Sequence, residues 1–303
     1  MSAEYPTVAV LLAAYNGIAW IEQQLDSILA QTHVRVSLFI SVDPSSDGTE
    51  ACCTRYAERH SNVTLLPTSE RFGGAARNFF RMIRDVDFSA FDYVAFADQD
   101  DLWHLDKLQR ATAHLESGTY DAYSSNVTAF WPDGRRLLID KAQQQVRWDH
   151  LFEAAGPGCT YVLNRKLADA FKDSLLRNWQ AAQQVGLHDW YCYAFARSQG
   201  MNWFIDPRSG MCYRQHSENQ VGANIGIASF TARLRKISSG WWPAQVLLID
   251  QLTGREPILA AAPGTSRRMV FIKLIPKAKA CRRRARDQGL FVIACLAAAL
   301  TAA

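Results

Sequence analysis

The sequence lacks several patterns that would assign a function directly. Its seven cysteines include no C-x-x-C pair, and an odd count without regular spacing indicates reduced thiols and argues against a zinc site. No G-x-G-x-x-G follows the first apolar run, and no G-x-x-x-x-G-K-[ST] occurs anywhere. Dinucleotide-binding and P-loop functions therefore lose their main support.

Long hydrophobic runs are also scarce. The start, MSAEYPTVAV, has neither the basic flank nor the apolar core of a signal peptide, so we expect the main body to be cytoplasmic. The run within RRRARDQGLFVIACLAAAL (282–300) is apolar over roughly a dozen residues, fewer than the ~20 needed to span a bilayer.

Positive charge is concentrated at the C-terminus. From Arg267 to Ala303 the chain has nine Lys/Arg and one acidic residue, whereas the rest has 24 basic and 28 acidic residues. A basic, apolar tail predicts a shallow anchor at the inner face of the cytoplasmic membrane, with its arginines on anionic lipid and no part in catalysis. The alternative is a helix packed on the body. A nucleic-acid partner is not expected, because few aromatics alternate with these cations.

Strand-like and helix-like segments alternate through the first half of the chain. Helix candidates at 49–60 and 74–85, and a helical face formed by Ile21, Leu25, Ile28 and Leu29, lie between the predicted strands. These strands are TVAVLLAA (7–14), VRVSLFISV (34–42), VTLLP (63–67) and FDYVAFA (91–97). This order predicts an α/β fold with a mostly parallel sheet flanked by helices.

The second half is less regular and predicts a mixed arrangement. A hairpin is expected from 120–130 and 135–139 around Pro132-Asp133-Gly134. A glycine-bearing loop then enters a strand (156–164), and a helix over 187–200 ends at Gly200. MNWFI (201–205) and MCYRQH (211–216) predict two short strands.

Polar residues follow the predicted strands at the edge where parallel sheets bind ligands. Tyr15 follows the first strand, Asp43 the second, and Asp98, Asp100 and Asp101 the fourth. Crowded carboxylates repel unless solvent or a cation offsets their charge, so a solvated loop is one interpretation and a Mg²⁺ or Mn²⁺ site the other. Such an ion, held by one or two carboxylates, keeps positions free for phosphates. The cluster therefore suggests a nucleotide diphosphate.

The chain resembles the family 2 glycosyltransferases, which have the GT-A fold. The matching segments are LLAAYNG (11–17), VDPSSDGT (42–49), GGAARN (73–78), FADQDDLWHLDKL (96–108), HDW (188–190) and YRQHSENQVG (213–222). They cover about residues 7 to 222 and are similar to a branch of rhamnosyltransferases in bacterial surface-polysaccharide synthesis.

This resemblance implies roles for individual residues. Asp189 would be the catalytic base, and Asp100, Asp101 and His216 would contact the metal. Asp43 would accept a hydrogen bond from a uracil or thymine N3–H, which cytosine lacks. The acceptor sugar would contact Trp103, His188 and Trp190, with His188 tuning Asp189 or capping its helix. The residues expected around the nucleotide are Ala13, Tyr15, Asp43, Arg77, Asn78, Asp98 and Asp100.

We therefore predict an inverting, metal-dependent glycosyltransferase that moves one sugar from a dTDP- or UDP-sugar to a glycan acceptor. Rhamnose is the candidate sugar, and a lipid-linked glycan is the expected acceptor. The catalytic domain would span 1–225, with a nucleotide-sugar half (1–118) and an acceptor half (119–225), before a helical C-terminal region (226–303). A sugar-phosphate nucleotidyltransferase is one alternative, although a G-x-G-T-R-like loop after the first strand is missing. A non-catalytic nucleotide-sugar-binding protein is the other.

Overall fold

The computed structural model describes residues 5–67, 71–216, 237, 239–254, 259 and 266–301. Nine strands form a single mixed sheet in the order β3-β2-β1-β4-β8-β6-β9-β5, with β7 paired to β6. The strands are β1 (Thr7–Ala14), β2 (Arg35–Val42), β3 (Val63–Leu65), β4 (Tyr93–Ala97), β5 (Leu102–Trp103), β6 (Ala122–Phe130), β7 (Arg136–Ile139), β8 (Val162–Asn164) and β9 (Trp203–Arg214).

Helices cover both faces of this sheet and continue into the C-terminal region. They are α1 (Ile21–Leu29), α2 (Thr49–Arg59), α3 (Ala75–Asp85), α4 (Lys107–Glu116), α5 (Arg165–Arg177), α6 (Trp179–Ala182), α7 (His188–Ser198), α8 (Trp241–Thr253), α9 (Arg267–Leu274), α10 (Ala278–Cys281) and α11 (Ala285–Thr301). Short 3-10 turns lie at Asp149–Leu151, Gly158–Thr160 and Ile275–Lys277. The predicted domain boundary at 225 falls outside the described residues.

The first four strands run parallel, as their continuous apolar sequences predict. Every residue from Val8 to Ala14 in β1 is buried, because α1 and α3 cover its two faces. Chain order reverses at β1, which lies between β2 and β4. Ligands collect at such a reversal, beyond the carboxyl ends of the strands.

The second half completes the sheet with mixed pairing. The predicted hairpin is present as antiparallel β6 and β7, and Gly200 follows α7 with a φ of 74°. The two short strands predicted at 201–216 are instead one twelve-residue strand, β9. Its pairing with β6 shifts register beside Pro207. Proline has no backbone N–H to donate to the neighbouring strand, and the irregularity accommodates it.

The C-terminal helices pack on the second half of the sheet domain, beside Leu151 and Trp190. Phe271, Cys281 and Cys295 are fully buried, in one cluster with Leu151 and Trp190. Within the described part of the chain, no helix is both long and apolar enough to cross a bilayer.

The expectation that the tail arginines lie on lipid is wrong for Arg282 and Arg283. Arg283 has a fully buried side chain whose Nε lies 3.6 Å from Asp149 and 3.5 Å from Glu153. Arg282 donates to the Phe152 carbonyl over 2.8 Å. Unpaired guanidinium groups would be costly in an apolar interior, so these arginines pair with carboxylates and carbonyls of the body. The segment is thus integrated into the fold.

Candidate active site

A cavity of about 1410 Å³ opens at the carboxyl ends of the parallel strands and extends to the C-terminal helices. It brings together ten of the residues predicted from the sequence, which come from both halves of the chain. These residues are Ala13, Tyr15, Asp43, Asn78, Asp98, Asp100, His188, Asp189, Trp190 and His216. Arg77, Asp101 and Trp103 are not among the lining residues.

Asp43 is fixed at the end of β2 by a glycine-rich loop. Its two carboxylate oxygens accept hydrogen bonds from the amides of Phe72 (3.1 Å) and Gly73 (3.0 Å). Gly73 has a φ of 73°, a conformation that favours glycine. Each oxygen keeps a further lone pair, so the held carboxylate can still accept from a ligand. The GGAAR segment therefore orients Asp43.

Tyr15 is held in the cavity wall by Gln99 of the acidic motif. Gln99 Oε1 accepts from the Tyr15 amide (2.7 Å), and Gln99 Nε2 donates to the Tyr15 carbonyl (2.9 Å). The ring is 44% exposed, and the Arg71 guanidinium lies 5.5 Å from its centroid. An exposed aromatic ring of this kind can stack against a planar base.

Asp98 and Asp100 face the cavity at the end of β4. Burial, followed by the Asp100 charge, raises the pKa of Asp98 to about 7. Asp100 Oδ2 lies 2.7 Å from Nε2 of His216, whose ring stacks on Trp20 with centroids 3.9 Å apart. Carboxylate oxygens beside an imidazole nitrogen suit Mn²⁺ or Mg²⁺, so this donor set fits the expected ion.

Asp101 lies behind the cavity in a buried cluster. Its Oδ1 accepts from the Arg214 amide (3.2 Å), and burial raises its pKa well above the usual range. Possible ligand atoms of Asp98, Asp101 and Cys159 lie within 4.8 Å of one another. Burial also keeps the Cys159 thiol protonated by raising its pKa, which makes it a poor ligand for a hard cation. Asp101 therefore does not face the cavity with Asp100 and His216.

Trp103 is a core residue, contrary to its predicted contact with the acceptor. It is 4% exposed, and the Lys107 ammonium lies 3.1 Å from its ring centroid. Because alternate residues of a strand face opposite sides, a residue next to a site motif often points away from the site.

Arg77 is also directed away from the cavity. Its Nε donates to the Gln183 carbonyl (3.0 Å) beside α6. Its neighbour Asn78 is buried and donates to the Ser41 carbonyl (3.0 Å) while lining the cavity.

Asp189 occupies the first turn of α7. Burial raises the pKa of its carboxyl to about 6, while hydrogen bonding from the Trp190 amide (2.7 Å) and the Lys141 charge oppose the shift. A pKa near 6 leaves the group ionised at neutral pH yet more basic than an ordinary aspartate. It suits a general base that faces a cavity.

His188 neither caps α7 nor acts as a charged partner. The helix begins without a side-chain cap, and the imidazole stacks on Phe79 with centroids 4.0 Å apart. Burial lowers the pKa of His188 to about 3, so the ring is neutral. Gly158 permits this packing, because a Cβ there would lie 2.5 Å from His188 Nε2 and 3.1 Å from Asp189 Cβ.

The sequence interpretation missed the far wall of the cavity. Lys141, which follows β7, and residues of the C-terminal segment line it, including Arg282, Arg284, Arg286, Trp241 and Trp242. The excess of basic residues in the tail was the available signal, but it was interpreted as a membrane surface.

Comparisons with known proteins identify the family of the chain. Glycosyl transferase family 2 matches residues 9–164. The chain is 46% identical over 239 residues to "dTDP-rhamnosyl transferase RfbG" of Shigella flexneri, covering 78% of this chain and 83% of that protein. It is 26% identical over 168 residues to the Escherichia coli "UDP-Glc:alpha-D-GlcNAc-diphosphoundecaprenol beta-1,3-glucosyltransferase WfgD", covering 54% and 62%.

Solved structures show the same fold. The mannosyltransferase PcManGT from Pyrobaculum calidifontis, in complex with GDP-Man and Mn²⁺, has a TM-score of 0.56 at 20% identity, covering 98% of this chain and 87% of that one. S. aureus TarS in complex with UDP-GlcNAc has a TM-score of 0.55 at 11% identity, covering 97% and 89%. The predicted GT-A fold is therefore confirmed, and the nucleotidyltransferase and non-catalytic alternatives are set aside. The chain belongs to glycosyltransferase family 2 and is a glycosyltransferase.

Proposed function

We propose that this protein transfers a single sugar, with rhamnose as the first candidate, from a dTDP- or UDP-sugar to a glycan acceptor during surface-polysaccharide synthesis. The reaction type is supported by one observation above all: Asp189 and the Asp100–His216 pair face the same cavity. The choice of sugar rests on the 46% identity to a protein named as a dTDP-rhamnosyl transferase.

The nucleotide base would bind between Tyr15 and Asp43. Asp43 accepts hydrogen bonds only, so it selects a base that donates at N3, as uracil and thymine do. Tyr15 supplies the stacking face, and Arg71 adds positive charge beside it. This pairing supports dTDP or UDP as the carrier nucleotide.

Asp100 and His216 would hold Mg²⁺ or Mn²⁺, with Asp98 beside them. When bound, the ion supplies Lewis-acid stabilisation of the diphosphate. The two side chains already meet at 2.7 Å, so their oxygen and nitrogen donors lie close enough together to serve the same ion.

Asp189 would remove the proton from the acceptor hydroxyl as that oxygen attacks the anomeric carbon from the face opposite the nucleotide. The new C–O bond forms while the bond to the diphosphate oxygen breaks, and its electron pair leaves with the nucleoside diphosphate. Configuration at the anomeric carbon is inverted, and the proton stays on Asp189 until it is released to solvent. Trp190 and His188, which flank Asp189 on the wall, would contact the acceptor sugar.

Transfer of one sugar is favoured over polymerisation, although the chain contains a motif of polymerising enzymes. Residues 144–148 read Q-x-x-R-W, a signature of processive polysaccharide synthases. These residues precede Asp189 in the chain and do not line the cavity. The Trp148 amide instead donates to the Ala280 carbonyl (2.8 Å), which supports a packing role.

An acceptor that is lipid-linked would be met at the inner face of the cytoplasmic membrane. Ile293, Leu296 and Leu300 are 52%, 49% and 79% exposed, and their spacing places them on one face of α11. Exposed Lys273 and Lys279 on neighbouring turns could meet anionic headgroups. This surface replaces Arg282 and Arg283 as the proposed membrane contact.

The test is a donor screen combined with product stereochemistry. The purified protein with Mn²⁺ is incubated with dTDP- and UDP-sugars and a panel of glycan acceptors, and nucleoside diphosphate release is measured. We expect dTDP-rhamnose to give the highest kcat/KM and NMR of the product to show inversion. Retention would refute the role of Asp189, and a UDP-hexose preference would refute the sugar assignment alone.

A further inference from the structure

Lys141 lies on the acceptor side of the cavity, across a short loop from Asp189. A Cβ on Gly156 would touch the Lys141 stem at 3.8 Å, and one on Gly158 would lie 3.1 Å from Asp189 Cβ. Segment 156–158 therefore packs between the two side chains. Within the described part of the chain, the Lys141 ammonium has no hydrogen-bond or ion-pair partner, although it faces the cavity.

Three arginines of the C-terminal segment lie close enough to this lysine for their charges to act on it. Their charges, with Arg283 the largest, help to lower the pKa of Lys141 to about 8 after the effect of burial. Arg282 and Arg284 line the cavity, whereas Arg283 is buried beneath them.

The nearby carboxylates do not neutralise these four cations. Arg282 and Arg283 share Glu153, at 3.9 and 3.5 Å. Asp149 pairs with Arg283 and also with Arg197, which lies 3.2 Å away. Arg284 is 3.7 Å from Asp140. Asp189 is a further carboxylate near Lys141, and Arg286 pairs with Asp287. With Arg197 and Arg286 included, six cations therefore face five carboxylates on this wall, and such an excess in a concave site attracts an anion.

An apolar surface, formed by Leu137, Leu138 and Ile293, lines the same cavity as these cations. Leu137 and Leu138 are 46% and 52% exposed, and Ile293 is 52% exposed. All three line the same cavity as Lys141 and Arg284. A cavity lined by both cations and exposed aliphatic side chains suits a ligand that joins a phosphate group to a hydrocarbon chain.

We propose that Lys141, Arg282 and Arg284 form a second anion site, which binds the phosphate or diphosphate of a lipid-linked glycan acceptor. The apolar surface of Leu137, Leu138 and Ile293 then contacts the start of its hydrocarbon chain. The proposal rests on the proposed glycosyl transfer and names the residues that would hold the phosphate of the acceptor. It separates this anion from the diphosphate of the donor, which belongs at Asp100 and His216. Holding the acceptor by its phosphate would place the hydroxyl of its sugar near Asp189.

The kinetic test compares two acceptors that carry the same sugar, one as a prenyl diphosphate ester and one as a neutral alkyl glycoside. Lys141→Met keeps the length of the side chain and removes its charge. The kcat/KM advantage of the diphosphate acceptor should fall by about 10- to 100-fold, the range for losing a hydrogen bond to a charged group. The ratio cancels any effect of Lys141 on Asp189 itself. Lys166→Met, an exposed lysine on α5, is the matched control and should leave the ratio unchanged.

An unchanged ratio in Lys141→Met would overturn the proposal. An equal rise in the KM of the donor would also do so, because the charge would then serve the donor diphosphate.

A binding measurement separates this inference from the proposed function. Farnesyl diphosphate and inorganic diphosphate are titrated calorimetrically into the full chain in EDTA, without donor. We expect farnesyl diphosphate to bind at least about tenfold more tightly, and Lys141→Met to weaken both. Equal affinities for the two ligands would refute the role of the apolar surface, and binding independent of Lys141 would refute the anion site. Lys141-dependent binding would support the inference even if no tested donor were used.

Discussion

Replacing Asp189 by asparagine should lower turnover strongly and at the same time make the fold more stable. Burial raises the pKa of Asp189 from 3.8 to about 6, so the ionised carboxylate is disfavoured in the folded protein. Two pKa units correspond to up to about 3 kcal/mol. Asparagine keeps the acceptor for the Trp190 amide and carries no charge, so it should recover much of that free energy.

The pH dependence of this gain has a definite sign. A folded-state pKa above the unfolded value means that the ionised group destabilises the fold fully above about pH 6, and that the penalty fades as pH falls toward 3.8. The Tm of Asp189→Asn should therefore exceed that of wild type by several degrees at pH 8 and approach it near pH 4. Wild-type kcat/KM should fall about tenfold per pH unit below 6 as the base is protonated.

The assay measures turnover, donor affinity and thermal unfolding for three proteins. Asp189→Asn should lower kcat by about 10²- to 10⁴-fold with donor affinity close to wild type. Asp250→Asn is the matched control, because burial also raises the pKa of Asp250 to about 6 and it does not line the cavity. It should gain stability and keep full activity. Near-normal turnover of Asp189→Asn, or a lower Tm than wild type at pH 8, would refute the reasoning.

Three further substitutions test other parts of the site. Asp100→Asn should weaken dTDP binding at least about tenfold with Mn²⁺ present but not in EDTA; equal calorimetric affinities in Mn²⁺ would count against the metal site. Gly158→Ala places a Cβ 2.5 Å from His188 Nε2, so kcat and Tm should both fall. Unchanged kinetics would show that segment 156–158 can move to make room for the methyl group without affecting Asp189. Arg283→Met leaves Asp149 with Arg197 as its remaining arginine partner, so urea unfolding should show a loss of about 3 kcal/mol, and no loss would mean that this buried pair is energetically neutral.

The nucleotide half was largely predictable because its signals are local. Continuous apolar runs such as Thr7–Ala14 can be satisfied only by a strand covered on both faces, and β1 is that strand. Asp43 and Asp98 were predicted at the sheet edge because parallel strands place their carboxyl ends together. Helices α4 and α5 were not predicted from the sequence. Their amphipathic segments lie between motifs that were interpreted for function and not for secondary structure.

The direction of side chains within the acidic motif was not predictable. Asp100 and Asp101 are adjacent, yet Asp100 faces the cavity and Asp101 is fully buried behind it. The reason lies in Arg214, more than a hundred residues away, whose amide donates to Asp101. Sequence spacing gives the order of residues, but the pairing of β5 with β9 decides which carboxylate meets the ligand.

The C-terminal segment shows how composition alone misleads about burial. Basic residues beside an apolar run are typical of a membrane tail, but here the partners of the arginines are Asp149 and Glu153 of the acceptor half. Those carboxylates lie in a loop whose residues Phe152 and Glu153 also line the cavity. Because breaking a buried ion pair costs more than forming it contributes, the loop and the segment constrain each other. This wall of the cavity is therefore built jointly by the loop that carries Phe152 and Glu153 and by the C-terminal helices, and its geometry depends on both.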